Sequence, residues 1–427
     1  MIQRAAIAPL SFRRGAGGEV AFYKYLIIIL ICLSACTKPD LQIILENVSD
    51  FARTDEPVVI SRDTLLYMLG KIPADLVPVL RTIDGIEIPS QADDLDGDGQ
   101  WDELFSLINF LPGQQLKIRI EFVNKEDVPA YPVRANVRFG DIHPPYKEIS
   151  EYGRLKSTET EIGSQYFQME GPAWENDKVA FRNYYDARNG MDIFGKRIAD
   201  MVLDSVGVGT RKNYHELRDW GMDILKVGNS LGAGAIGIQR DDNIYRVGLC
   251  DTGSYKLLID GPLRSIFRLT YEGCPAGQNS YHIVHEISIW GGSHFYKSVV
   301  TLSPSTGKEQ LVTGIVNLQS ENYTLTQTDG HTALITHANQ AFDGELLGMG
   351  ILASANDYLG IIEAPETGEG IVSTYVMIFK TTANPVVYYF YSGWEYQNPE
   401  FKQSEFFEDM IKADARRLNA PIKIACL

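Results

Sequence analysis

The stretch Glu175–Arg197, "ENDKVAFRNYYDARNGMDIFGKR", sets ionisable groups between apolar ones, and its reading decides the fold. Taken as a strand from Val179 to Asp186, it places Val179, Phe181, Asn183 and Tyr185 on one face. Ala180, Arg182, Tyr184 and Asp186 fall on the other. An Arg-Tyr-Asp stripe is costly inside a core unless its members pair, and it suits the wall of a cleft. A structural ion-pair network tying a loop to a sheet is the alternative reading. Strand candidates continue downstream, among them "YKLLIDGPLRSIFRLTYEG" (255–273), "YHIVHEISIWG" (281–291), "HFYKSVVTLS" (294–303) and "NPVVYYFYSGW" (384–394). Many strands joined by short turns predict a mainly β chain in which residues 150–427 form a large antiparallel sandwich of two sheets. Upstream, "EPVVISR", "LVPVLRT" and "GQQLKIRIEFV" predict a smaller β-sandwich module over 53–138, and "FGDIHPPYKEIS" (139–150) marks the boundary. Only two segments read as helices, "MDIFGKRIADMVLDSV" (191–206) and "QSEFFEDMIKADARRLN" (403–419), the latter with Phe406, Met410 and Ile411 near helical spacing.

Composition supports this class. The 427 residues are 44% hydrophobic and 11% aromatic with 22 Tyr, a bias toward strands. The net charge of -16 argues against nucleic acid, whose phosphates need a basic surface. It leaves room for an anionic sugar in a local basic pocket. Near the N-terminus, "YLIIILICLSAC" (25–36) is too short to span a bilayer and suits a signal peptide ending in a lipobox. Residues 1–36 are therefore expected to be a lipoprotein signal with Cys36 as the lipid-bearing residue, and 37–52 a tether. Such a protein is anchored to the bacterial outer membrane, facing the periplasm or the cell surface. Cys250 and Cys274 form either a disulfide or two buried thiols, and no Cys/His spacing suits zinc.

Individual motifs were weighed on their chemistry. "DDLDGDGQWDE" places Asp94, Asp96, Asp98 and Asp102 around Gly99, as a hard oxygen-seeking cation requires. Phe105 stands where an EF-hand needs its bidentate acid, so the alternatives are another kind of structural Ca²⁺ loop or a solvated acidic turn. "GAGAIG" (232–237) matches a dinucleotide fingerprint in letters, but strand-like sequence follows it where a helix is needed. His282 and His285 in "HIVHE" would face opposite sides of a strand. "YHELRDWGMDILKVGNS" (214–230) gathers His215, Trp220, Asp223, Lys226 and Asn229, the composition of a sugar platform or of a surface loop with one packing Trp.

"WENDKVAFRNYYDARNGMDIFGKR" and "YHELRDWGMDILKVGNSLGAGAIG", with "DDLDGDGQWDEL" and "YYFYSGWE", resemble a family of bacterial carbohydrate-utilisation lipoproteins long filed as a domain of unknown function. The resemblance covers roughly 45–425. It implies a galactose-mutarotase-like β-supersandwich and a role beside polysaccharide lyases and glycoside hydrolases. One kind of member is an ulvan oligosaccharide dehydratase.

Three functions follow. A dehydratase acting on a uronic-acid-containing oligosaccharide needs its carboxylate neutralised, a base at the neighbouring carbon and an acid at the departing hydroxyl. Tyr184, His215 and His294 are the acid and base candidates; His294 follows a glycine turn in "GGSHFYKS". Arg182, Asp186, Arg188, Trp220, Lys226 and Asn229 are the substrate-binding candidates, and no cofactor is expected for catalysis. The alternatives are a non-catalytic glycan-binding lipoprotein, or a glycoside hydrolase using paired carboxylates such as Asp186 and Asp223.

Overall fold

The computed structural model describes residues 40–154, 166–209, 213–381 and 385–426. Cys36 and the leader lie outside them. The N-terminal lobe packs two sheets. One runs Lys423–Cys426, Asp40–Glu46, Gln115–Val123, Val77–Thr82, Glu87–Ile88; the other runs Arg53–Ser61, Glu103–Phe110, Ser90–Asp93. Their inward residues, including Ile43, Leu45, Ile60, Leu104, Ile118 and Phe122, form one core. The expected tether thus contains a strand. Ile43 and Leu45 are buried while Gln42 is exposed, and that alternation earns residues 40–46 a place beside Gln115–Val123. The chain's last strand returns to this lobe and pairs with its first, Ile43 opposite Cys426. A short helix α1 (Arg62–Leu69), absent from the sequence reading, starts on a Ser61 cap that accepts from Thr64 N at 3.2 Å.

The large lobe is mainly β, as expected. A nine-stranded antiparallel sheet extends from Thr324–Thr328 at one edge to Glu151–Arg154 at the other, and a five-stranded sheet from Asn243–Arg246 to Tyr358–Glu363 lies against it. In Asn279–Trp290 the buried positions are Tyr281, Ile283, His285, Ile287 and Ile289, with half-exposed residues between them. That strict period of two orients the sheet, because a slip of one residue would expose the whole apolar set. His285, on the inner face, meets Ser298 Oγ at 2.9 Å, while His282 reaches Glu272 from the other face. Helix α2 (Ser404–Asn419) buries Phe407, Ile411 and Ala415 against Ile335, Leu352 and Tyr391. No helix among the described residues is long and apolar enough to cross a membrane.

The other expected helix is replaced. Met191–Lys196 is a strand paired with Ala180–Asn183, and an irregular segment follows. Gly195 is the physical reason: any Cβ there would sit 2.5 Å from the Trp394 ring, so the backbone must pass flat against it. "GAGAIG" lies in the strand Ala233–Arg240 rather than before a helix. A side chain at Gly232 (φ +66) would meet Met191 O at 2.0 Å, so this glycine serves a close backbone approach. Cys250 and Cys274 are disulfide-linked. Across the two lobes, Gln91 donates to Arg264 O at 2.9 Å, and Arg264 Nε donates to Asp93 at 2.9 Å.

Candidate active site

A separate five-stranded sheet carries the opening stretch, in the order Gly221–Asp223, Met191–Lys196, Ala180–Asn183, Ala173–Asn176, Ala135–Arg138. Its two faces have opposite chemistry. Trp174, Phe181, Ile193 and Met222 point into the main core, where Phe181 and Trp174 stack at 5.9 Å. Glu175, Arg182, Asp192, Lys196 and Asp223 point the other way, toward the side where Val202, Leu203, Val206 and Trp220 form a smaller core. The strand covers Ala180–Asn183 rather than Val179–Asp186, and within it the alternation holds, while Tyr185 and Asp186 lie in the turn that follows. The polar face carries two networks, one at each end.

At one end the network is structural. Lys196 Nζ donates to Glu175 Oε2 at 2.5 Å and to the carbonyls of Asn176 and Asp200 at 2.7 and 2.8 Å. The other Glu175 oxygen accepts from the Val202 and Leu203 amides at 2.7 Å each. Both side chains are fully buried. Every polar atom has a partner, so the pair fixes the covering segment to the sheet.

At the other end Arg182 is a hub. Its Nη2 donates to Asp192 and Asp223, each at 2.7 Å, and to Tyr184 Oη at 3.0 Å. Nη1 donates to Tyr214 Oη at 2.9 Å, and the Tyr184 hydroxyl donates to Asp192 at 2.5 Å. The guanidinium also lies 4.7 Å from the Tyr184 ring centre and 5.1 Å from those of Phe194 and Tyr214. With 2% of its side chain exposed, Arg182 has no donor left for a ligand. The sequence expectation of a substrate clamp at Arg182 is corrected on that ground.

Burial and neighbouring charge set the protonation pattern. Asp223 is pushed well above the ordinary carboxylate range by burial and by Asp192, which favours its proton-carrying form. Burial raises the Tyr184 phenol well above its usual value and also raises Tyr214, so both remain neutral. His215 is lowered, first by burial and then by Arg182, so its imidazole is neutral near pH 7. Its Nδ1 lies 3.4 Å from Asp223 Oδ2, yet 57% of the side chain is exposed. Tyr214 supports the ring at a 4.5 Å centroid distance. A solvent-facing neutral imidazole thus backs onto a buried carboxyl.

Arg188 and Asp186 lie in the turn after the strand. Arg188 donates to Asp186 at 2.6 Å and to Glu170 at 2.5 Å, and its guanidinium sits 3.8 Å from the Tyr184 ring centre. Sequence reasoning missed Asp192 and Glu170, and read Tyr214 only as part of the segment 214–230. Asp192 was recoverable, because a hairpin after Asn183 sets it opposite Arg182. Glu170 carried no signal.

The remaining expected site residues fall elsewhere. Trp220 is wholly buried against Phe194 and Val202, so neither ring face is free to stack on a sugar. Lys226 and Asn229 are exposed in the loop after Asp223, and the Asn229 carbonyl accepts from Arg246 at 2.6 Å. His294 does not join His215. It lines a cavity of about 600 Å³ with Trp290, Phe295, Phe406 and Asp414, and burial lowers its pKa to about 4. That cavity shares no residue with the Arg182 cluster. In the acidic loop, ligand oxygens of Asp94, Asp96 and Asp102 lie within 4.8 Å of one another, a spacing that fits one cation. Asp98 stands outside this trio and accepts from the Gln100 amide at 2.7 Å.

Residues 45–424 match the model of a family described as a domain of unknown function, DUF4861. The chain is 25% identical over 272 residues to uncharacterized protein P7 of Formosa agariphila, covering 59% of this chain and 66% of that protein, just under two thirds of its length. Coarser overlaps occur with two solved structures, each 9% identical. One is an alpha-mannosidase from Enterococcus faecalis V583 (TM-score 0.47; 91% of this chain, 46% of that one). The other is a glycosyl hydrolase family 38 protein from Enterococcus faecalis (TM-score 0.41; 91% and 47%). This chain spans less than half the length of either.

Proposed function

The chain belongs to the DUF4861 family, and from that premise we propose that it is a carbohydrate-active enzyme that removes water from a uronic-acid-containing oligosaccharide. One observation carries the reading: the half-exposed His215, neutral near pH 7, held 3.4 Å from the buried Asp223, whose carboxyl is raised well above its ordinary range. His215 takes the proton from the carbon beside the sugar carboxylate. A double bond forms to the next carbon, whose C–O bond breaks. The hydroxyl leaves as water with a proton returned by the imidazolium, so the imidazole ends neutral. Asp223, 3.4 Å from Nδ1, holds the ring in place. Arg182 positions Asp223, Tyr184 and Tyr214, and Arg188 is the guanidinium nearer to solvent, with 17% of its side chain exposed.

Hydrolysis by the buried carboxylates fits less well. Of the pair read from the sequence, Asp186 is buried and held by Arg188 at 2.6 Å, and Asp223 is buried and held by Arg182 at 2.7 Å. Incubation with saturated and unsaturated uronate oligosaccharides followed by mass spectrometry tests the proposal. Loss of one water, abolished in His215→Ala, is the expected result. Cleavage into smaller sugars would establish hydrolysis instead, and binding without any product would establish a glycan-binding protein. We also propose a structural Ca²⁺ at Asp94, Asp96 and Asp102, and lipid attachment at Cys36 to the outer membrane.

A further inference from the structure

We propose that Glu170 is a built-in occupant of the substrate-carboxylate subsite, holding Arg188 until a uronate displaces it. The inference rests on the reading above and names the residue that sets its specificity. Glu170 is the most exposed carboxylate in the cluster: 21% of its side chain is accessible, against 1% for Asp192, 4% for Asp186 and 5% for Asp223. It meets two guanidinium groups, Arg188 Nη2 at 2.5 Å and Arg182 Nη1 at 3.7 Å. A carboxylate entering from solvent would seek the same forked partner.

Arg188 is held from behind whether or not Glu170 is present. Its Nε and Nη2 donate to Asp186 at 3.0 and 2.6 Å, its backbone N–H donates to the same carboxylate at 2.8 Å, and its guanidinium rests on Tyr184. Losing Glu170 therefore frees one side of a fork that stays in place. Glu170 itself sits on unusual backbone. Met169 (φ +56) and Glu170 (φ +65) are both left-handed, which non-glycine residues seldom adopt. Gly171 anchors them, since a Cβ there would strike the Asn183 carbonyl at 2.2 Å. Glu170 also acts on the His215 imidazole electrostatically, raising its pKa, so its departure would be felt at the proposed base.

An occupied subsite lowers apparent affinity by the fraction of time it is free. If Glu170 blocks Arg188 about nine-tenths of the time, removing its charge tightens uronate binding about tenfold. The test is calorimetric titration of a glucuronic-acid-terminated disaccharide, with a neutral disaccharide as control, in a His215→Ala background that cannot turn over. Glu170→Gln is expected to tighten the uronate about tenfold and leave the neutral sugar unchanged, and Arg188→Lys to weaken the uronate at least tenfold. Unchanged or weaker uronate binding in Glu170→Gln overturns the proposal, as does equal tightening of both sugars or no uronate binding in any variant. In the otherwise wild-type enzyme, Glu170→Gln should lower KM for the uronate. Because binding is read without turnover, a failure to release water would refute the dehydratase reading and leave this result standing on its own.

Discussion

Replacing Arg182 by Met tests whether the hub is structural. The side chain donates hydrogen bonds to Asp192, Asp223, Tyr184 and Tyr214 while 2% exposed. Methionine fills much of the volume but leaves the buried Asp192 and Asp223 without the guanidinium they share. Breaking a buried pair from one side costs about 3–5 kcal/mol, a large share of a typical domain stability of about 5–15 kcal/mol. The loss should depend on pH with a definite sign. Arg182 lowers the Asp223 carboxyl against the burial that raises it, so without Arg182 that carboxyl is held still further above its unfolded value. Its contribution is then present at low pH and lost as pH rises through the raised folded value. Urea unfolding should therefore show the larger deficit at pH 8 and one smaller by about 1–2 kcal/mol at pH 5, each pKa unit being worth about 1.4 kcal/mol. Adding Asp223→Asn to the variant removes one stranded charge and should recover about 1–3 kcal/mol. A variant within about 1 kcal/mol of wild type at both pH values, yet unable to bind the sugar, would show that Arg182 is a ligand clamp and that the reasoning is wrong.

Other expectations follow from separate parts of the molecule. Asp414 on α2 is pushed up to about 6 by burial, so its stabilising contribution is complete below about pH 4 and fades as pH rises through 6. Asp414→Asn should flatten the stability-pH curve between pH 4 and 7 by up to about 3 kcal/mol, and an unchanged curve would contradict the shift. Replacing both Cys250 and Cys274 by Ala opens a loop with a sequence separation of 24 and should cost about 3 kcal/mol in denaturant melts. Calcium at about 100 times its dissociation constant should stabilise the protein by about 2.7 kcal/mol, and Asp94→Asn should abolish that gain; a melting temperature indifferent to calcium and chelator would remove the metal site. Cys36→Ser should abolish incorporation of labelled fatty acid, and persistent labelling would place the anchor elsewhere.

Local patterning made the β class legible. Alternation along Ala180–Asn183 and Asn279–Trp290 reports which residues share a face, because side chains of a strand have a fixed period of two. Helix α2 was visible for the same kind of reason, through the spacing of Phe406, Met410 and Ile411. The other expected helix failed because its apolar residues suit either period over a short run, and pairing with Ala180–Asn183 decided for a strand. The strand at Asp40–Glu46 was hidden because its last partner, Lys423–Cys426, lies at the far end of the chain.

The sequence by itself determined a β-rich chain in which Arg182, Tyr184 and a loop bearing His215 and Asp223 carry the unusual chemistry. Only the tertiary structure decided their roles. Whether an arginine binds a ligand or holds a core together depends on how many of its donors are already taken, and Asp192, Asp223, Tyr184 and Tyr214 occupy those of Arg182. Whether a tryptophan is a platform depends on what covers its faces, and Trp220 is buried. Burial and partner count arise from contacts distant in sequence, so the opening stretch could announce a polar face while the fold assigned one end to structure and the other to His215.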